Sequence, residues 1–228
     1  MFGNIYAVFL SILLLPACIG TGSALVRLSI SIHAASDVQS PWTYFICGAI
    51  TYIAAQLVFF RPLRLYVFGH ELAHAIAGWI SGARIRAINV KKSSGSVSLD
   101  KVNIFIALAP YFFPFYSVLL ILFYALFNIL TKNVYNVNNY FLFLLGMSTA
   151  FHVALTIYAI NLGQSDLEKY GVIFSLIIIF ISNCIVLAVM LAVFFHASFP
   201  EFVYNSAVDT IKAYAWIYAR LRVLKDLL

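Results

Sequence analysis

His70, Glu71 and His74 are the residues of this chain best equipped for chemistry: two imidazoles separated by four positions, with a carboxylate beside the first, in the order His-Glu-x-x-His. On a helix, positions i and i+4 share a face, so both imidazoles can turn a nitrogen to one point. Such a pair suits a tetrahedral zinc at about 2.0 to 2.1 Å, while Glu71, displaced by about 100° around the helix, stays free to handle a proton of water. A helix is expected over 63–80, because these residues are mostly apolar and Pro62 stands where a first helical turn tolerates proline. A glutamate beside two histidines in such an apolar stretch costs on the order of a few kcal/mol in lipid. The group therefore reads as a functional site rather than as two histidines stapling helices together.

The elements that must position these residues follow from composition. The chain has 228 residues, 64% hydrophobic and 10% charged, with a mean hydropathy of +0.98. A soluble domain carries about 25% charged residues, so that class is excluded. The expected fold is an all-α polytopic membrane protein with about six transmembrane helices. The spans fall at 5–19, 42–60, 63–80, 104–130, 140–162 and 172–195. Residues 20–40, with Arg27, His33 and Asp37, read as a loop or frayed helix end. The first span lacks the basic lead of a secretory signal and is expected to stay in place. In the fourth, Pro110 and Pro114 should kink the helix and free backbone carbonyls, which is tolerable only against protein or a water-filled cavity.

After the histidine helix, the i, i+4 series continues to Gly78 and Gly82, which predicts a seam of small residues where another helix can approach. Residues 83–103 form the longest polar stretch before the tail. Strands at 85–90 and 97–102 with a turn at Ser93-Ser94-Gly95 make a short β-hairpin. From 205 the tail is amphipathic, with Ile211, Tyr214, Ile217, Tyr218, Leu221, Leu224 and Leu228 on one face, and should lie in the membrane interface. The expected organisation is a single transmembrane domain over 1–204 and an interfacial helix over 205–228. Cys18, Cys47 and Cys184 stand singly in apolar segments and make neither a disulfide framework nor a second metal site. The net charge of +6 is spread over every loop, which indicates anionic lipid headgroups rather than nucleic acid as the partner.

A catalytic zinc takes three protein ligands and leaves its fourth position open. With six spans, the histidine helix ends on the face to which the fifth span returns, so residues 161–168 arrive on that side. At 1.5 Å per residue, His74 and His70 lie roughly 9 to 15 Å below it. Asp166, on an unwound segment dipping from that face after Gly163, and His152, on the fifth span, both reach that depth. They are the two candidates for third ligand. Asp166 is favoured, because a broken helix can carry a carboxylate to the metal, and His152 then serves as a hydrogen-bond donor beside the centre. Gln164, in the same polar break, is a candidate for substrate binding or for support of the ligands.

These features resemble the site-2 protease family of intramembrane zinc metalloproteases. In that family a transmembrane His-Glu-x-x-His helix precedes a hairpin-like element, one intervening span, and then an Asn and an Asp at a broken helix. The likeness covers about 63–195 and is to a small stand-alone bacterial-type member. It implies one zinc held by His70, His74 and Asp166, Glu71 as general base, and Asn161 as the polar residue before the third ligand. Here Ser165-Asp166-Leu167 stands where the family usually has Leu-Asp-Gly. The resemblance further implies a zinc metalloendopeptidase that cuts transmembrane or membrane-associated segments, in the bacterial plasma membrane, with a cytosolic hairpin. The rival class is a non-proteolytic zinc-binding membrane protein, either a transporter or a pseudoprotease that binds without cutting. A transporter should repeat its broken helices in two halves, and this chain carries them in one.

Overall fold

A computed structural model describes residues 2–34, 40–59, 62–91, 94–132 and 138–226; the side chains of 2–4 and 224–226 are outside this description. Asp37, Arg61 and Ser93 therefore lie outside the described residues, as do Leu228 and the Leu224 side chain. The protein is mostly helical, with one two-stranded hairpin. Among the described residues, α1 (Phe2–Ala34), α2 (Pro41–Val58), α6 (Asn139–Asn161) and α8 (Val172–Phe195) are long and apolar enough to cross a membrane. The pair α4 (Ile104–Phe112) and α5 (Phe115–Thr131), bent by 72°, makes a fifth if it is one span. The helix α3 (Leu63–Ile80) falls outside that set, because Arg64, His70, Glu71 and His74 interrupt its apolar surface.

The chain divides into two compact units, Met1–Ala35 with Glu168–Leu228, and Ser36–Leu167. The first contains α1, α8 and α9 (Phe199–Asp226). Residues 20–34 were expected to be a loop or frayed end, yet α1 continues through them. Its hydroxyls turn back on their own helix: Thr21 Oγ1 donates to the Ala17 carbonyl at 2.8 Å, and Ser29 Oγ to that of Leu25 at 2.9 Å. Polar side chains satisfied this way need no water, so the helix persists. Against α1 lies α9, which starts at Phe199 rather than 205. A Cβ on Gly20 would stand 2.5 Å from the Ser206 carbonyl oxygen, so the two backbones nearly touch. The face of α9 that meets α1 carries Ser206, Asp209, Thr210 and Tyr214, whose hydroxyl donates to the Leu13 carbonyl, while Ile211, Tyr218 and Leu221 of the expected apolar face stay exposed.

In the second unit, α2 and α6 pack through reciprocal glycines. A Cβ on Gly48 would lie 1.9 Å from the Phe143 oxygen, and one on Gly146 2.0 Å from that of Phe45. Only glycine permits such an approach. The hairpin pairs β1 (Ile85–Val90) with β2 (Gly95–Leu99) antiparallel, Ile88 opposite Val97 and Val90 opposite Gly95. At its base, Asp100 Oδ1 accepts the Arg84 N–H at 2.8 Å. The seam of small residues on α3 receives this hairpin and not a helix: Leu99 occupies the space beside Gly78. Gly82 takes φ +68 and ends α3, with Ala83 N–H donating back to the Gly78 carbonyl at 2.8 Å.

The fourth apolar segment breaks where proline requires. Phe113, held before Pro114, adopts φ −90 and ψ 104, so α4 stops at Phe112. Pro110 remains inside α4, and the carbonyl four residues earlier, that of Ile106, receives no helical N–H from it.

Candidate metal centre

Helix α3 starts at Leu63, where the Tyr116 hydroxyl donates to the Leu65 carbonyl at 2.6 Å. From there the turn spacing brings Tyr66, His70 and His74 onto one face. The His70 and His74 rings lie 5.0 Å apart between centroids. His74 Nδ1 meets the Ile106 carbonyl oxygen at 2.8 Å, the carbonyl that Pro110 leaves free. A carbonyl only accepts, so Nδ1 carries the proton and a neutral His74 presents a lone pair at Nε2. His70 Nδ1 lies 3.2 Å from the Tyr66 hydroxyl, which leaves its Nε2 facing the opposite way.

Both Nε2 atoms face Asp166. The Asp166 Oδ2 is 3.3 Å from His74 Nε2 and 3.7 Å from His70 Nε2. The side chains of His70 and His74 are only 9% and 12% exposed, and that of Asp166 30%. Asp166 does not sit on extended chain, as an unwound segment would have it. Gly163, at φ +70, ends α6, and residues Ser165–Glu168 close a single helical turn, α7. That turn is fixed by Leu167, whose side chain is buried and whose N–H donates to the Gln164 carbonyl at 3.1 Å.

The three groups together could hold a metal ion, with one ligand atom from each lying within 4.8 Å of the others. Their chemistry fits one. His74, its proton committed at Nδ1, turns a lone pair to the Asp166 carboxylate, and His70 does the same in the tautomer whose Nδ1–H donates to the Tyr66 hydroxyl. Two lone pairs and a carboxylate oxygen facing each other suit a positive charge between them. A single proton can serve only one of the nitrogens, whereas a divalent cation serves all three donors, each imidazole being oriented by a partner at its other nitrogen.

Glu71 is 6% exposed and stands beside this cluster on the wall of a cavity of about 350 Å³. The hairpin covers it: a Cβ on Gly95 would fall 2.5 Å from Glu71 Oε1. Gly95, Val97 and Leu99 share one face of β2, and all three line the cavity, as do Gln164 and Asp166. Asn161 is exposed at the end of α6 and is not part of that lining. His152, inside α6, lies on a separate cavity of about 20 Å³ behind His70, shared with Tyr66 and Tyr116. The structure thus brings Asp166, and not His152, to the two histidines.

Three contributors escape a reading of residue types alone. Tyr66 lies one turn before His70, so the i, i+4 series carried backwards finds it. The Ile106 carbonyl is marked by the proline four residues on. Tyr111, whose ring stands edge-on to His70 with centroids 5.2 Å apart, has no such signal in a stretch full of aromatics. No protein-family model, curated protein or solved structure matches this chain.

Proposed function

We propose that the protein is a zinc-dependent intramembrane endopeptidase of the site-2 protease type. The observation that carries this reading is the convergence of His70 Nε2, His74 Nε2 and the Asp166 carboxylate on one point, with Glu71 on the adjoining cavity wall. When bound, zinc supplies a Lewis acid that polarises a carbonyl and raises the acidity of water. Glu71 takes a proton from the attacking water as its oxygen bonds to the scissile carbonyl carbon. It returns that proton to the departing amine nitrogen as the C–N bond breaks. His70, His74 and Asp166 hold the metal, and Gln164, on the cavity wall, binds the substrate backbone.

Six spans fit this reading: α1, α2, α3, the bent pair α4 with α5, α6 and α8, in a bacterial plasma membrane. On that count the end of α3, the hairpin and the turn bearing Asp166 share one membrane face. The substrate is a transmembrane or membrane-associated segment unwound into the cavity. Strand β2 offers it an edge. Lys91 N–H donates to the Ser94 carbonyl at 2.8 Å. By antiparallel alternation the N–H and C=O groups of Gly95 and Val97 then point away from β1, free to pair with an extended chain. Val97→Pro removes one outward donor without touching the β1 ladder, and unchanged cleavage in that variant would exclude strand addition at this edge.

The testing experiment is zinc content and cleavage of a transmembrane-helix substrate by the purified protein and by Glu71→Gln. The amide keeps the shape of the side chain but cannot take the proton, so zinc should remain and the rate should fall by about 10² to 10⁴. Full cleavage by Glu71→Gln sinks the protease reading. Zinc bound with no cleavage even by the wild type favours the binding-only alternative.

A further inference from the structure

Strand β2 runs along α3 in the same direction: Gly95 meets Glu71, and Leu99 packs beside Gly78, its terminal carbons 3.0 Å from where a Cβ there would stand. The metal-site cavity is lined by β2 and by no residue of β1, so the unpaired edge of β2 is the one turned to the metal donors. A peptide laid on that edge extends along α3, past the histidines and towards the base of the hairpin. The cavity wall changes character along this path. Beside Gly95 and Asp166 it holds Ser94, Gln164 and Ser165, whereas at the Leu99 end it is Leu99, Val102, Ile106 and Ala107, all four with hydrocarbon side chains. This aliphatic end begins at the second histidine, because the Ile106 carbonyl meets His74 Nδ1 at 2.8 Å. It is also held in shape: Leu99 and Ile106 pack with the buried Ala77 and Ala109, and Asn103 Oδ1 accepts the Ile106 N–H at 2.8 Å. The charged side chains next in sequence are engaged elsewhere, Asp100 with the Arg84 N–H and Lys101 beside Gly82.

We propose that Leu99, Val102, Ile106 and Ala107 form a specificity pocket that takes a leucine, isoleucine or valine side chain from one of the two substrate residues flanking the cut bond. This rests on the reading of the protein as an endopeptidase and adds which peptide bonds it selects. A charged side chain in the pocket gives up its water and finds no partner. An alanine leaves the pocket part-filled, and a methylene more or less in such a pocket changes the rate by about 10-fold or more. An aromatic ring needs the wall to yield, and Leu99 and Ile106 are backed by the core. Val102, exposed at the rim, is the member that can be trimmed without opening that core.

The test uses the full-length protein in detergent and a transmembrane-helix substrate whose cut bond is located by mass spectrometry. Each residue flanking that bond is replaced in turn by Ala, Leu, Phe and Asp, and kcat/KM is measured for every substrate. At one flanking position Leu should be cut about 10- to 100-fold faster than Ala, and Asp more slowly still. Val102→Ala should keep its zinc and raise the Phe-to-Leu ratio of kcat/KM at that same position by about 10-fold, leaving the other position as in wild type. Equal cleavage of Leu, Ala and Asp substrates at both positions overturns the proposal, and so does a Phe-to-Leu ratio in Val102→Ala that matches wild type. A wild type that binds zinc yet cuts no substrate of the series removes the endopeptidase reading and this inference with it, a result distinct from cleavage without selectivity.

Discussion

In the unit of α1, α8 and α9, the carboxylate of Asp209 is met by the Arg27 guanidinium, by Lys212 Nζ at 3.6 Å and by the Ser23 hydroxyl at 2.7 Å. In the other unit, the Asp166 carboxylate faces two imidazole nitrogens, while Glu71 lies buried nearby. The first cluster brings its own counter-charge and stitches two helices together. The second gathers donors on one point and could hold a cation there. A charged group in an apolar chain therefore says little until its partners are known: cations beside it make a clamp, and lone pairs beside it make a site.

Removing a donor from the site is the largest blow to that contrast. His70→Ala or His74→Ala should each lose zinc, and cleavage should fall to background, since two protein ligands do not hold the metal as three do. Elemental analysis of the purified variants measures this; stoichiometric zinc in either would reduce the histidines to a structural pair like the Arg27 clamp. A smaller loss follows from crowding the hairpin against the base. Gly95→Val places its side chain on the Glu71 carboxylate, since even a Cβ there falls 2.5 Å from Oε1. Zinc should stay bound and cleavage should drop by about 10²-fold, the order expected when a catalytic group moves by 1 Å. Unchanged turnover would mean that Glu71 does not work from this position.

The clamp should respond weakly and only to acid. The Ser23 hydrogen bond and then the Arg27 contact hold the Asp209 carboxyl below its ordinary value. A carboxyl lowered in the folded state stabilises the protein above its unfolded pKa, and that contribution is lost as pH falls through the folded value. Asp209→Asn should therefore lower the melting temperature slightly at neutral pH and converge with wild type in strong acid. Zinc content should not change at neutral pH. A zinc loss in Asp209→Asn would break the separation between the two clusters.

Much of this was legible in the residues. Helices α3 and α8 occupy 63–80 and 172–195, the ranges that Pro62, Gly82 and Gly171 punctuate. The hairpin was also readable, although its second strand runs Gly95–Leu99 rather than 97–102 and takes Gly95 out of the expected turn, and so was the bend at Pro114, because turn residues and proline act locally. Residues 20–34 misled: their serines and arginine look solvated, and only the helix carbonyls and Asp209 reveal how they are satisfied. Gly78 misled for a related reason, since a glycine signals close approach without naming what approaches. Tyr111 could not be singled out, because a buried phenol and a lipid-facing one are the same letter, and tertiary contact alone separates them.

The most direct test is the metal content of the wild type beside Asp166→Ala and His152→Ala, purified identically. One zinc per chain in the wild type and in His152→Ala, with little or none in Asp166→Ala, is the expected result. Zinc lost from His152→Ala but kept in Asp166→Ala would contradict the account.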